Sequence, residues 1–156
     1  MFPKHSIRFD IEKMKLRIVL FVCLALPLIS IPATAQMKDE GASLYARTLL
    51  EQINRYRYDR GLESLRFDAN LIRLARHHSF EMFRQKIMSH RNFDQRFQRS
   101  GSRMCVENVG WNFSVPLKQF DAWRQSRDHD QNMLKEGVTK VGIAEVGNYV
   151  TFFACK

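Results

Sequence analysis

KVGIAEVGNYVTFFACK, residues 140–156, alternates as two strands around Gly147-Asn148, a turn signal between runs rich in Val, Ile, Tyr and Phe. This pattern predicts an antiparallel hairpin at the end of the chain. A third extended run, CVENVGWNF, lies upstream at residues 105–113, and helical periodicity fills most of the remainder. LYARTLLEQINRYRYDRG sets Tyr45, Leu49, Ile53 and Tyr56 at helical spacing and stops at Gly61. After the short extended link ESLRF, Asp68 can cap ANLIRLARHHSFEMFRQ, whose Leu71, Leu74, Ala75, His78 and Met82 share one face. Residues 89–103 are polar and Arg-rich and read as loop or broken helix. Pro116 suits the first position of PLKQFDAWRQS, with Leu117, Phe120 and Trp123 on the inner face. Asp128, with Gln131 three residues on, approaches a capping box for a last helix that turns Met133 and Leu134 inward. Helices, a strand, helices and then a hairpin describe an α+β domain in which helices cover an antiparallel sheet.

The first 35 of the 156 residues follow different rules. Lys13, Lys15 and Arg17 precede IVLFVCLALPLI, and SIPATA then places Ala33 and Ala35 just before Gln36. A charged head, a short apolar run and an A-x-A exit are the pattern of a cleaved export signal, for which Met14 is an alternative start. The apolar run is about 12 residues long and contains Pro27, well short of the roughly 20 needed to span a bilayer as a helix. The expectation is therefore a secreted, periplasmic or extracellular protein with no transmembrane anchor after cleavage. Residues 36–43 read as a flexible lead-in and 44–156 as one domain, long enough to bury a core. Cys23 leaves with the signal. Cys105 and Cys155 remain, and an oxidising compartment favours their pairing.

The formal net charge is +9, and about +6 remains when residues 1–35 are set aside. Arg91, Arg96, Arg99 and Arg103 fall in one stretch and suit an anionic surface such as lipid headgroups or cell-wall polymers. A nucleic-acid partner is not expected, because export removes the usual target and no groove-reading motif is present.

Local motifs for chemistry are sparse: there is no H-E-x-x-H, C-x-x-C, G-x-S-x-G or phosphate-binding glycine loop. His78, on an apolar helix face, reads as a hydrogen-bonded core histidine, and His77 as solvated. His90 sits where a helix gives way to a loop. Glu107 lies among apolar residues of a strand, where a carboxylate needs a partner. His129 opens a helix, where a positive charge is unfavourable and the imidazole stays neutral and available. Two histidines and a glutamate can form an open zinc site of the His2Glu kind or an acid/base cluster, if the fold unites them.

LLEQINRYRYDRGLESLRFDANLIRLARHHSFEM, then SH, ENV, FDAWRQSRDHDQNML, KVGIAE and YVTFFAC, resembles in this order the CAP superfamily of cysteine-rich secretory proteins, antigen 5 and plant pathogenesis-related proteins, in its compact bacterial form. The resemblance covers residues 44–156. It implies a three-layer α-β-α sandwich with a small antiparallel sheet between helices, and a cleft lined by two histidines and two acidic residues. By motif, His90 matches the first histidine, Glu107 the glutamate and His129 the second histidine. Where many relatives carry a second glutamate this chain has Ser126, and Asp128 is the nearby candidate to supply the missing charge. Val106 replaces the glycine before Glu107.

The reading preferred from these residues is a secreted binding module whose cleft holds a divalent metal, zinc being the natural candidate, and acts through an extracellular or envelope partner. A metal-assisted hydrolase of peptide or envelope polymer, with Glu107 as base for bound water, is the alternative. Serine catalysis by Ser126 has no activating geometry behind it. Lipid or sterol carriage is a third option, for which Trp111 and Phe113 are the relevant aromatics.

Overall fold

The computed structural model describes residues 41–156. The expected export signal, its alternative start at Met14 and residues 36–40 of the lead-in lie outside the described residues. The order of elements is α1 (Leu44–Tyr58), β1 (Arg66–Phe67), α2 (Ala69–Gln85), α3 (Phe93–Ser100), β2 (Cys105–Trp111), α4 (Pro116–Gln125), α5 (Arg127–Met133), β3 (Lys140–Val146) and β4 (Tyr149–Cys155).

The four strands lie in the order β1-β3-β4-β2. β3 and β4 form the expected hairpin, with Gly147 in the left-handed region (φ 57°) at its tip. β2 pairs antiparallel to β4 from Cys105↔Cys155 to Trp111↔Tyr149. The segment ESLRF, expected only as a link, adds a two-residue strand parallel to β3, so the sheet is mixed at that edge. α2 packs on one face of the sheet, and α1, α4 and α5 cover the other, giving a three-layer α-β-α sandwich. Every residue of β4 is buried, because this central strand has helices over both faces.

Local chemistry explains the helix starts. The Ala46 N–H donates to the Ser43 hydroxyl (3.1 Å) at the head of α1, and the Leu71 N–H donates to the Asp68 carboxylate (3.0 Å) at the head of α2. Ser43 thus serves as the N-cap of α1, and Ala42 before it is buried. Close approach of α2 to β3 depends on Gly142. A Cβ there would stand 2.0 Å from the Leu71 carbonyl carbon.

Three local expectations change. Residues 89–103 contain an ordered helix, α3, whose Arg96 is buried. Leu117 is exposed (47%), and Gln119 is buried beside Phe120 and Trp123 in its place. The start of α4 has little to pack on, since Phe113 and Val115 are exposed as well, while Gly110 leaves the space that the Gln119 amide fills. Asp128 is not the cap of α5. The helix begins two residues earlier than that cap would place it, at Arg127, with Ser126 as N-cap residue, so Asp128 falls in the first turn, where its charge still suits the helix dipole.

The larger core joins Leu49, Ile53, Trp123, Ile143 and Phe152 between the sheet and α1, α4 and α5. A second, under α2, joins Leu71, Leu74, Ala75, Phe153 and Cys155. Among the described residues, these two cores draw on positions from Ala42 to Cys155. Cys105 and Cys155 form the expected disulfide between directly paired residues of β2 and β4.

Candidate functional site

The site forms along β2, the strand at the free edge of the sheet. Alternation sends its odd-numbered side chains toward the α2 face and its even-numbered ones toward the α1 face. Glu107 accordingly meets His90, on the segment after α2, and Arg96, on α3. Asn108 points the other way and donates its Nδ2 to the His129 carbonyl of α5 (2.9 Å). Asn132 of α5 donates Nδ2 to the Glu107 carbonyl (3.0 Å) and to Asn108 Oδ1 (2.9 Å). The edge strand thus ties both histidine-bearing segments to one floor.

Glu107 is buried, and its carboxylate is fully engaged. Arg96 donates Nε to Oε2 at 2.7 Å and Nη2 to Oε1 at 2.8 Å, a two-pronged ion pair. His90 adds Nδ1 to Oε1 at 2.9 Å, while its ring is about half exposed. Burial alone would push the Glu107 carboxyl up, but the hydrogen bonds from His90 and Arg96, with the guanidinium charge, outweigh it and hold the group below its ordinary 4.5. An ionised Glu107 makes Nδ1 of His90 the donor and leaves Nε2 as the ring nitrogen available to the cleft.

His129 is half-buried beside Trp123, with ring centroids 6.4 Å apart. Its pKa lies below 6.5, first through burial and then through the charge of His90, with Asp128 opposing. Ser126 is half-buried and makes no side-chain capping bond, and Asp128 is exposed. His78 is a core histidine, as its apolar helix face predicts. Its Nε2 meets the Ser89 carbonyl at 2.8 Å, and Nδ1 stands 3.5 Å from the Glu81 carboxylate, with no hydrogen-bond partner among the described residues. It also stands 3.8 Å from Glu107 Oε1, so it borders the site from inside. Its pKa is lowered, mainly by burial, with Glu107 opposing and the Arg96 charge adding to the fall.

Among the described residues, no group of three or more His, Cys, Asp and Glu side chains is placed to hold a metal ion. In the anticipated set of His90, Glu107 and His129, the Glu107 oxygens already accept hydrogen bonds. Oε2 accepts from Arg96, and Oε1 from Arg96 and His90, which fixes one nitrogen of the His90 ring. Arg96 is the site residue that sequence reasoning missed. Its guanidinium is inside the domain, which removes it from the exposed basic group and leaves Arg91, Arg99 and Arg103 at the surface. The signal was the carboxylate at Glu107, which demanded a partner, but four nearby arginines offered no means of choosing among them. Cavities of about 670 and 470 Å³ flank β1, at the opposite edge of the sheet, and neither includes His90 or His129.

A model of the CAP family, described as the cysteine-rich secretory protein family, matches residues 50–156. YkwD of Bacillus subtilis, described as uncharacterized, is 26% identical over 128 residues, which are 74% of this chain and 50% of that protein. An extracellular protein of Bacillus anthracis containing an SCP domain superposes with a TM-score of 0.67 at 22% identity, covering 70% of this chain and 39% of its own. An outer surface protein of Borrelia burgdorferi gives a TM-score of 0.67 at 16% identity, covering 72% of this chain and 92% of its own. The two structural likenesses speak for the fold. This chain spans half the length of the Bacillus subtilis relative.

Proposed function

The chain belongs to the cysteine-rich secretory protein (CAP) family, and from that premise we propose that it is a secreted binding module whose edge cleft takes a divalent metal such as zinc between His90 and His129 and engages an extracellular or envelope partner. The observation that carries this reading is the His90 Nδ1 to Glu107 contact of 2.9 Å. A carboxylate on one ring nitrogen fixes the imidazole and raises the basicity of the other, the usual support behind a metal-binding histidine. The lowered pKa of His129 favours the neutral, ligating form. Ser126 and Asp128 border this pair on α5 without a direct part in it. When bound, the metal would offer open coordination positions to a partner's oxygen or nitrogen donors. The family's structural relatives described as extracellular or outer-surface proteins agree with an exported location.

The alternatives draw less support. In a metal-assisted hydrolase Glu107 would have to accept a proton from water, yet both of its oxygens are held by Arg96 and His90. A lipid carrier needs an apolar cavity, whereas those of about 670 and 470 Å³ mix Leu50, Leu65 and Phe67 with the charged Glu51, Glu63, Arg66 and Asp68.

Zinc titration calorimetry tests the proposal on residues 36–156, with the His90→Ala/His129→Ala variant beside the wild type and a melting curve for each. Binding by the wild type alone, with both chains folded, is the expected result. Absence of binding, or equal binding by the variant, overturns it.

A further inference from the structure

One end of the sandwich, where the β3–β4 hairpin turns, carries large apolar side chains in the open. Ile87, Met88, Trp111 and Leu117 are each about half exposed (55%, 51%, 50% and 47%), and Phe83 and Phe113 are exposed at 36% and 38%. They come from two separate segments that the fold joins. Phe83 lies on the hairpin tip, so close that a Cβ on Gly147 would stand 2.5 Å from its ring. The Trp111 ring packs at 6.4 Å on Tyr149, whose residue pairs with it across β2 and β4, and the Asn112 N–H donates to the Asn148 carbonyl (2.8 Å). Met82 packs with Val109 and Tyr149 and so draws the end of α2 to the same place.

The charges in and beside these segments lean to one sign. Residues 82–93 contain Arg84, Lys86 and Arg91 and residues 108–120 contain Lys118, while Glu81 and Asp121 stand at their borders. Of the nearby carboxylates, Glu145 is half-buried and accepts from the Ser43 hydroxyl (2.8 Å), Glu81 lies beside Arg84, and Asp121 pairs with Arg124 at 3.4 Å. Lys86 lies over the Phe83 ring with its Nζ at 3.9 Å, an apolar body with a cationic tip. Exposed aromatics and aliphatics with an excess of cations beside them match a surface that is apolar just below a layer of negative charge.

We infer that this end of the domain docks on an anionic phospholipid bilayer, with Trp111, Ile87 and Met88 entering the headgroup layer and Arg84, Lys86, Arg91 and Lys118 meeting the phosphates. This goes beyond metal binding and does not require His90 or His129. It also gives Trp111 a role that core packing does not, since the other tryptophan, Trp123, is buried.

The test uses residues 36–156, which hold both cores, with vesicles of phosphatidylglycerol and phosphatidylcholine or of phosphatidylcholine alone. The expected result is co-sedimentation with the anionic vesicles at low salt, accompanied by a blue shift of Trp111 emission and quenching by brominated lipid. Each basic side chain at the surface contributes about fivefold to such partitioning, so Arg84→Glu/Lys86→Glu should weaken it at least tenfold. Ile87→Ser/Met88→Ser should weaken it while the melting curve stays unchanged. His90→Ala/His129→Ala should bind vesicles as the wild type does, so the two proposals can fail separately. Equal binding to a soluble glycerol-phosphate polymer without a Trp111 shift would assign the surface to an envelope polymer and overturn the inference. Shielding of Trp111 by self-association in the absence of lipid would overturn it too, as would vesicle binding insensitive to these substitutions.

Discussion

Arg96 on α3 and Glu107 on β2 form a buried, two-pronged ion pair at 2.7 and 2.8 Å, and through it the edge strand acquires the carboxylate that orients His90. Such a pair couples fold to site, because the same contact that anchors the short helix α3 keeps Glu107 ionised. Its two ends are not interchangeable with water, since both side chains are almost fully buried.

Breaking the pair from one side should be severe. Arg96→Met leaves Glu107 as an uncompensated buried charge, and a loss of about 3–5 kcal/mol in urea unfolding is expected. Arg96→Met combined with Glu107→Leu should cost clearly less than the single change, because no charge is left stranded. A double variant as unstable as the sum of the singles would contradict this account.

Glu107→Gln separates orientation from folding. The amide cannot match the charge of Arg96 or fix the His90 ring as a carboxylate does, so zinc affinity should drop about 10–100-fold if the cleft binds metal. The ring-nitrogen NMR signals of His90 should also change, showing loss of the fixed Nδ1–H donor. Unaltered affinity and unaltered His90 signals in a folded variant would remove Glu107 from the site.

Acid should weaken the domain in two stages. His78 and His129 have folded pKa values below 6.5, chiefly through burial. Between those values and 6.5 the unfolded chain binds more protons than the native one, so stability falls as pH drops through that window. Glu107 sits below 4.5 in the fold, so a further loss follows under pH 4.5 as the unfolded carboxyl protonates first. Around His78 the charged neighbours are Glu81, Arg96 and Glu107, and only Arg96 adds to the lowering. Urea midpoints measured from pH 8 to 3 should decline from about 6.5 downward, and His78→Gln should blunt the upper stage. A midpoint that rises between pH 7 and 5 would refute the assignment.

The Cys105–Cys155 bridge closes 50 residues of chain, which corresponds to about 4 kcal/mol of stabilisation in the chain-entropy picture. Reduction, or Cys105→Ser/Cys155→Ser, should lower the melting temperature accordingly. Non-reduced, denatured protein from residue 36 onward should show no free thiol, and a count of two would deny the bridge.

Two glycines should respond differently to alanine. At Gly142 the added Cβ meets the backbone of Leu71 at 2.0 Å, which no rotamer change can relieve, so α2 must lift from β3 and a loss of about 3 kcal/mol or more follows. At Gly110 the obstacle is the Gln119 side chain, whose Oε1 has no hydrogen-bond partner among the described residues and which can turn aside. Gly110→Ala should therefore be the milder change in thermal melts, and the reverse order would be evidence against these packing arrangements.

Patterns set by near neighbours were legible in the sequence. The hairpin about Gly147-Asn148, the helices from Leu44 and Ala69, the Asp68 cap and the burial of His78 follow from periodicity, turn chemistry and capping, which act over a few residues. The need of Glu107 for a partner was also readable, because an apolar strand cannot hold a lone carboxylate. Only the tertiary structure could choose Arg96 from four arginines, since that choice depends on where α3 docks against the free edge of β2. It likewise turned ESLRF into an edge strand, left Leu117 outside and gathered Phe83 and Trp111 at one end. Each of these depends on contacts between residues distant in the chain, whose energies appear only when the layers pack.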